Sequence, residues 1–114
     1  MPNTYSQIYI QAVFAVKGRK SLINKSWQDE MHKYICGIVN NKKQKVYAIG
    51  GVADHIQILI SIDPAISFSD LIRDIKTNSS KWINDRHFTR EKFEWQNGFG
   101  AFSYGQSQLD TIIA

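Results

Sequence analysis

His55 and Gln57 are the residues of this sequence whose types and spacing most suggest chemistry on a ligand. They stand two apart in the run HIQILISI, and side chains alternate across a strand, so the imidazole and the amide project in parallel from one face. Such a pair can share a divalent cation, or it can be local structure, with His55 beside a turn and Gln57 hydrogen-bonding nearby. Two donors are an incomplete set, which further protein groups or substrate phosphates must complete. A second group is basic: Arg73, Lys76, Thr77, Ser80 and Lys81 follow one another in RDIKTNSSK. Cations interleaved with hydroxyls could track a phosphate backbone; they could equally form a solvated helix face, whose charge Asp70 and Asp74 dilute. Phe93, Trp95, Phe99, Phe102 and Tyr104 could stack bases, or be core or dimer interface. His32 and His87 have no partner at ligand spacing and read as surface residues, and Cys36 reads as a small core residue. No Ser-His-Asp, Cys-His or phosphate-cradling glycine motif is present.

The elements that must position these residues can be read from periodicity. Residues 5–16, YSQIYIQAVFAV, alternate: Ile8, Ile10, Ala12, Phe14 and Val16 share one face of a strand, and Gln7, Tyr9 and Gln11 share the other. Ser26 can cap a helix in which Trp27, Met31, Tyr34, Ile35 and Ile38 form one apolar stripe. Residues 45–49 and 55–62 read as a pair of strands around a turn supplied by Gly50, Gly51 and Asp54. In the second of these, Ile56, Ile58, Ile60 and Ile62 face away from His55, Gln57, Leu59 and Ser61. Ser67 and Asp70 have capping-box spacing before a second amphipathic helix that carries Phe68, Leu71, Ile72, Ile75, Ser79, Trp82 and Ile83 on one side. Residues 93–104 read as a strand with a bulge or close approach near Gly98 and Gly100. Ser107 opens a third, short apolar helix that lacks a second half.

The order β-α-β-β-α-β is the split βαβ pattern of an α+β, ferredoxin-like fold: a four-stranded antiparallel sheet with two helices on one face, in a single domain spanning 1–114. Right-handed crossovers put the first strand and the His55 strand side by side in the centre, and the helix-free face is left for a ligand or second subunit. With 43% hydrophobic and 21% charged residues, the composition is that of a folded globular chain rather than a disordered one. A single cysteine and no apolar leader suit a reducing, cytoplasmic setting. The longest nearly apolar stretch, 8–16, is far below the ~20 residues of a membrane span, so no membrane role is expected. A net charge of +4 permits an anionic partner without identifying one.

Longer stretches are more specific. TYSQIYIQAVFAVKGR, ADHIQILISI, SDLIRDIKTNSSKWIN and above all FEWQNGFGAFSYGQSQLDTII resemble, in order and spacing, the single-tyrosine transposases of bacterial insertion sequences (the IS-two-hundred type), across essentially the whole chain. The resemblance implies a homodimer formed by sheet extension, binding of single-stranded DNA with hairpin ends, and DNA cutting and rejoining. It also implies a His-hydrophobe-His motif that holds magnesium or manganese and a tyrosine nucleophile on a C-terminal helix, followed one turn later by a glutamine that completes the metal site. His55 and Ile56 match that motif, but Gln57 stands where the family has its second histidine, so the cation is expected to be weak or absent. The family tyrosine and glutamine would fall past Ala114, leaving no catalytic residue within the sequence and an expectation of binding without cleavage. The alternatives are an active nuclease and strand transferase seen as a shortened chain, and a ferredoxin-like interaction module with no DNA role.

Overall fold

The computed structural model describes residues 8–63 and 65–104. Within them the chain forms β1 (Ile8–Ala15), α1 (Lys25–Asn41), β2 (Lys45–Val52), β3 (His55–Ile62), α2 (Phe68–Asp85) and β4 (Gly100–Tyr104). The strands make one antiparallel sheet in the order β2-β3-β1-β4, with β1 and β3 central as the crossover rule requires. The expected third helix lies outside the described residues.

One face of the sheet and the stripes of both helices close a single core. Ala12 and Phe14 of β1 and Ile56, Ile58, Ile60 and Ile62 of β3 pack with Trp27, Met31, Ile35 and Val39 of α1 and Leu71, Ile72, Ile75 and Ile83 of α2. This is the α+β, ferredoxin-like arrangement, both helices covering the face that the alternating isoleucines make dry. The other face carries a smaller cluster of Tyr9, Leu59 and Tyr47. Leu59 and Ser61 are thus buried although they share a face with His55.

Three local details differ from the sequence reading, and each has a physical cause. The cap of α1 is Asn24, whose Oδ1 accepts the Ser26 N–H at 2.8 Å, so the helix starts one turn-fraction before the expected Ser26 cap. The α2 cap is Ser67, its Oγ accepting from the Asp70 N–H at 3.2 Å as the spacing predicts. Gly50 and Gly51 do not turn the chain; β2 runs through them, and Ala53 and Asp54 make the turn. Gly51 is needed for closeness instead: a Cβ there would collide with the His55 carbonyl oxygen and come within 2.8 Å of the Ile56 Cα.

The third difference concerns residues 93–104, of which only the last part is ladder. Trp95 makes an isolated bridge to Val16, and β4 begins at Gly100. Between them the backbone is satisfied by other means. Asn84 of α2 accepts the Phe93 N–H at 2.7 Å and donates to its carbonyl at 3.0 Å. The Glu94 carbonyl accepts from the Lys17 N–H, and the Gln96 N–H donates to the Ala15 carbonyl. Lys76 Nζ then donates to the carbonyls of Gln96, at 2.6 Å, and Gly98, at 2.8 Å.

Candidate nucleic-acid interface

Arg73, Lys76, Ser80 and Lys81 fall on one side of α2 because they lie at helical spacings beside the apolar stripe, and they line one groove of about 590 Å³. The opposite wall is the 92–99 segment, which adds Lys92, Asn97, Gly98 and Phe99. Four basic side chains, Arg73, Lys76, Lys81 and Lys92, face one carboxylate of the lining, Glu94. These cations are not equivalent. Arg73 and Lys81 are exposed and paired along their own helix, to Asp70 at 2.7 Å and Asp85 at 2.8 Å. Exposed pairs of this kind contribute little and give way readily to a stronger anion. Lys76 is different: its ammonium is committed to two loop carbonyls, and burial pulls its pKa below the usual lysine range. It ties α2 to the opposite wall of the groove. Ser80 Oγ donates to the Thr77 carbonyl at 3.1 Å and retains its acceptor lone pairs.

His55 and Gln57 sit on the opposite side of the sheet from the helices, at the end of β3. Their register partners on β1 are Ala15 and Val13, and on β2 Val52 and Gly50, so the surroundings are small or aliphatic. The turn before His55 is fixed by the Val16 N–H donating to the Asp54 carbonyl at 2.9 Å. That turn places the Asp54 carboxylate 2.8 Å from His55 Nδ1 and 3.3 Å from Arg19 Nε. The His55 hydrogen bond, with Arg19 behind it, holds the Asp54 carboxyl below its ordinary range. A neutral imidazole that gives its Nδ1 proton to a carboxylate keeps its lone pair on Nε2, the arrangement that orients a metal-binding histidine. Gln57 is exposed on the same face. Among the described residues no group of three or more His, Cys, Asp or Glu side chains could hold a metal ion. The donor set fits a hard cation only in part, since such ions take six or more oxygen-rich ligands and this pair supplies one nitrogen and one amide oxygen.

His55 also lines a cleft of about 450 Å³ with Val13, Arg19, Gln96, Asn97, Phe99 and Phe102. Asn97, Gly98 and Phe99 border both this cleft and the α2 groove, so a single loop separates them. The aromatic set divides in two: Phe93 and Trp95 are buried in the core, whereas Phe99 and Phe102 are 36% and 57% exposed. Trp95 is fixed by its Nε1–H donating to Ser79 Oγ at 2.9 Å, and the Ser79 hydroxyl donates in turn to the Ile75 carbonyl.

Elsewhere, His32 is half-buried rather than on the surface, and its Nε2 is enclosed without a hydrogen-bond partner among the described residues. Cys36 is partly buried, and burial pushes its thiol pKa up, away from nucleophilic use. Asp54, Arg19 and Lys92 escaped the sequence reading. Asp54 offered one signal, an acid immediately before the histidine, but only the turn geometry turns adjacency into a hydrogen bond.

Tyr9 and Tyr47 pack edge to face on the far part of the sheet, where burial and then Tyr47 raise the Tyr9 pKa. Tyr9 lies six residues along β1 from Ala15, the register partner of His55, about 20 Å at ~3.3 Å per residue. Tyr104 pairs with Tyr9 and is equally remote, and Tyr34 stacks on Trp82 between the helices. Tyr5 lies outside the described residues.

No helix among the described residues is long and apolar enough to cross a membrane. The sequence profile of the family described as "Transposase IS200 like" matches residues 4–114. No curated protein matches significantly. Among solved structures, a transposase candidate from Deinococcus radiodurans R1 superposes with a TM-score of 0.79 at 14% identity, covering 99% of this chain and 94% of that one. A REP-associated tyrosine transposase bound to a REP hairpin superposes with a TM-score of 0.70 at 12% identity, covering 95% of this chain and 62% of that one. At these identities the two superpositions establish the fold.

Proposed function

The chain belongs to the IS200-like transposase family, and from that premise we propose that it binds single-stranded DNA with hairpin ends in the cytoplasm, as part of the movement of an insertion sequence. The observation that carries this reading is the α2 groove: Arg73, Lys81 and Lys92 are held in exposed ion pairs that a phosphate can displace, Ser80 offers a hydroxyl, and Lys76 braces the facing loop. That a fold neighbour is bound to a REP hairpin is in keeping with it.

Cleavage by this chain alone is proposed to be weak or lost. A magnesium or manganese ion would be held by His55 Nε2 and the Gln57 amide oxygen, with phosphate and water filling the remaining positions, and when bound it would polarise a phosphate. Gln57 is neutral and a poorer donor than an imidazole. None of the tyrosines at described positions 9, 34, 47 and 104 lies beside His55. Assembly as a homodimer belongs to the same proposal, with β2 and β4 as the sheet edges available for extension. A retained nuclease and strand-transfer activity is the second reading, and the intact Asp54–His55 hydrogen bond favours it.

Fluorescence anisotropy with a labelled hairpin tests the first part: retention at low salt that falls steeply with added salt is expected, and no retention would refute DNA binding. Incubating the same hairpin with manganese tests the second. No covalent protein–DNA adduct is expected; a tyrosine-linked adduct would establish the active reading.

A further inference from the structure

We propose that Lys76 anchors one phosphodiester of the bound strand and that the arrival of this phosphate tightens the 96–98 segment, an inference that deepens the DNA-binding reading and rests on it. Of the four cations that line the α2 groove, three already have a counter-charge: Arg73 in Asp70, Lys81 in Asp85 and Lys92 in Glu94. Lys76 is the exception, with no carboxylate in salt-bridge range among the described residues. Its ammonium meets neutral groups instead: the Gln96 carbonyl at 2.6 Å, the Gly98 carbonyl at 2.8 Å and the ring of buried Phe14, whose centroid is 6.0 Å away. An ammonium has three protons to donate, so two carbonyls leave one N–H for a ligand. The half-burial that lowers the Lys76 pKa is the mark of a charge surrounded by dipoles and lacking an ion of opposite sign.

An anion that reaches this N–H supplies the missing charge without breaking an ion pair, whereas at Arg73, Lys81 or Lys92 it must first displace a carboxylate. The flanking cations Arg73 and Lys81, at helical spacing along the same wall, select a repeating polyanion over an isolated carboxylate. Ser80, one turn on from Lys76, adds a hydroxyl that can rotate toward the same strand. The same contact acts on the loop. Gly98 has a φ of +80° and open space where a Cβ would stand, so the Lys76 clasp rather than packing fixes its carbonyl. Because the two carbonyls hold the ammonium in place, a phosphate at its third N–H binds the clasped state in preference to one with the side chain free, and populates the clasp further. Asn97, Gly98 and Phe99 also border the cleft beside His55, so groove occupancy and the shape of that cleft are coupled through one lysine.

The test uses the full chain and a labelled DNA hairpin with single-stranded extensions, in which one backbone phosphate at a time is replaced by a neutral methylphosphonate. At one position the replacement should weaken binding by about 10- to 150-fold, the range for a hydrogen bond between charged partners. Positions that meet the exposed cations should lose about 5-fold or less. Lys76→Met, which keeps the length of the stem, should cost a similar factor with unmodified DNA and make the salt slope shallower by ~0.7–0.9, one phosphate's share. At the sensitive position the two changes together should cost no more than either alone. A lysine that only braces the loop would leave both the slope and the methylphosphonate penalty intact. Hydrogen exchange of the 96–100 amides needs no variant: protection should rise at saturation with the unmodified hairpin and not with the hairpin neutralised at the sensitive position. If every methylphosphonate costs the parent and Lys76→Met alike, the anchor is refuted while DNA binding stands. Equal protection with both DNAs refutes the tightening. If no hairpin is retained at low salt, DNA binding fails and the anchor with it.

Discussion

At His55 the imidazole is oriented in advance, because its Nδ1 is hydrogen-bonded to the carboxylate of the preceding residue, Asp54, whose other oxygen accepts from the Arg19 guanidinium. Asp54→Asn should therefore weaken manganese binding in the presence of hairpin DNA by about 10-fold or more, the usual effect of removing the group behind a liganding histidine. Gln57→His should strengthen it. Manganese electron paramagnetic resonance titration reads both, and unchanged affinity in both variants would remove the cation from the account. His32 supplies a second residue-level prediction. Burial lowers its pKa, the Asp29 carboxylate opposing in part, so the folded chain resists a proton that the unfolded chain accepts near pH ~6.5. Stability is thus full above that value and falls as the pH drops through it. Urea midpoints measured from pH 8 to 5 should decline less for His32→Gln than for the parent, and parallel declines would contradict this. His55 and Gln57 were readable as a pair because strand alternation is local. The burial of His32 was not, because a helix position beside the stripe is covered or bare according to what packs over it.

At the scale of elements, α2 serves two surfaces at once. Its apolar stripe closes the core, and one polar edge, Lys76, Ser79 and Asn84, holds the 93–98 segment that has no ladder of its own. Ser79→Ala should cost about 1–3 kcal/mol, since it leaves the buried Trp95 N–H without an acceptor. Asn84→Ala should cost a similar amount by freeing both backbone groups of Phe93. Urea denaturation checks each, and a cost within 0.5 kcal/mol, about that of an ordinary surface change, would show the clamp to be dispensable. Gly51→Ala should be worse than either, because the added methyl meets backbone rather than a movable side chain. The helices and central strands were legible from the 3.6- and 2-residue periods and from the Ser67 cap. The split of residues 93–104 was not, because the partners that replace its ladder are the Lys76 and Asn84 side chains of α2 and the distant backbone of Ala15 and Lys17. The sequence places Ser79 in the apolar stripe, and its buried hydrogen bond to Trp95 explains how a hydroxyl can sit there.

For the molecule as a whole, the order β2-β3-β1-β4 puts His55 on the helix-free side and the basic groove on the helix side, and residues 97–99 join the two around the edge. On the reading proposed above, DNA is gripped where Arg73, Lys76, Lys81 and Lys92 gather, by displacing the exposed carboxylates of Asp70, Asp85 and Glu94 that pair with three of them. The most direct test of that claim is hairpin binding across a salt series for the parent and for the variant Arg73→Gln with Lys81→Gln and Lys92→Gln. If these side chains meet phosphates, the slope of log affinity against log salt becomes shallower by about 2–3, at ~0.7–0.9 per neutralised phosphate. An unchanged slope and affinity would mean that the DNA lies elsewhere on the protein or does not bind it at all.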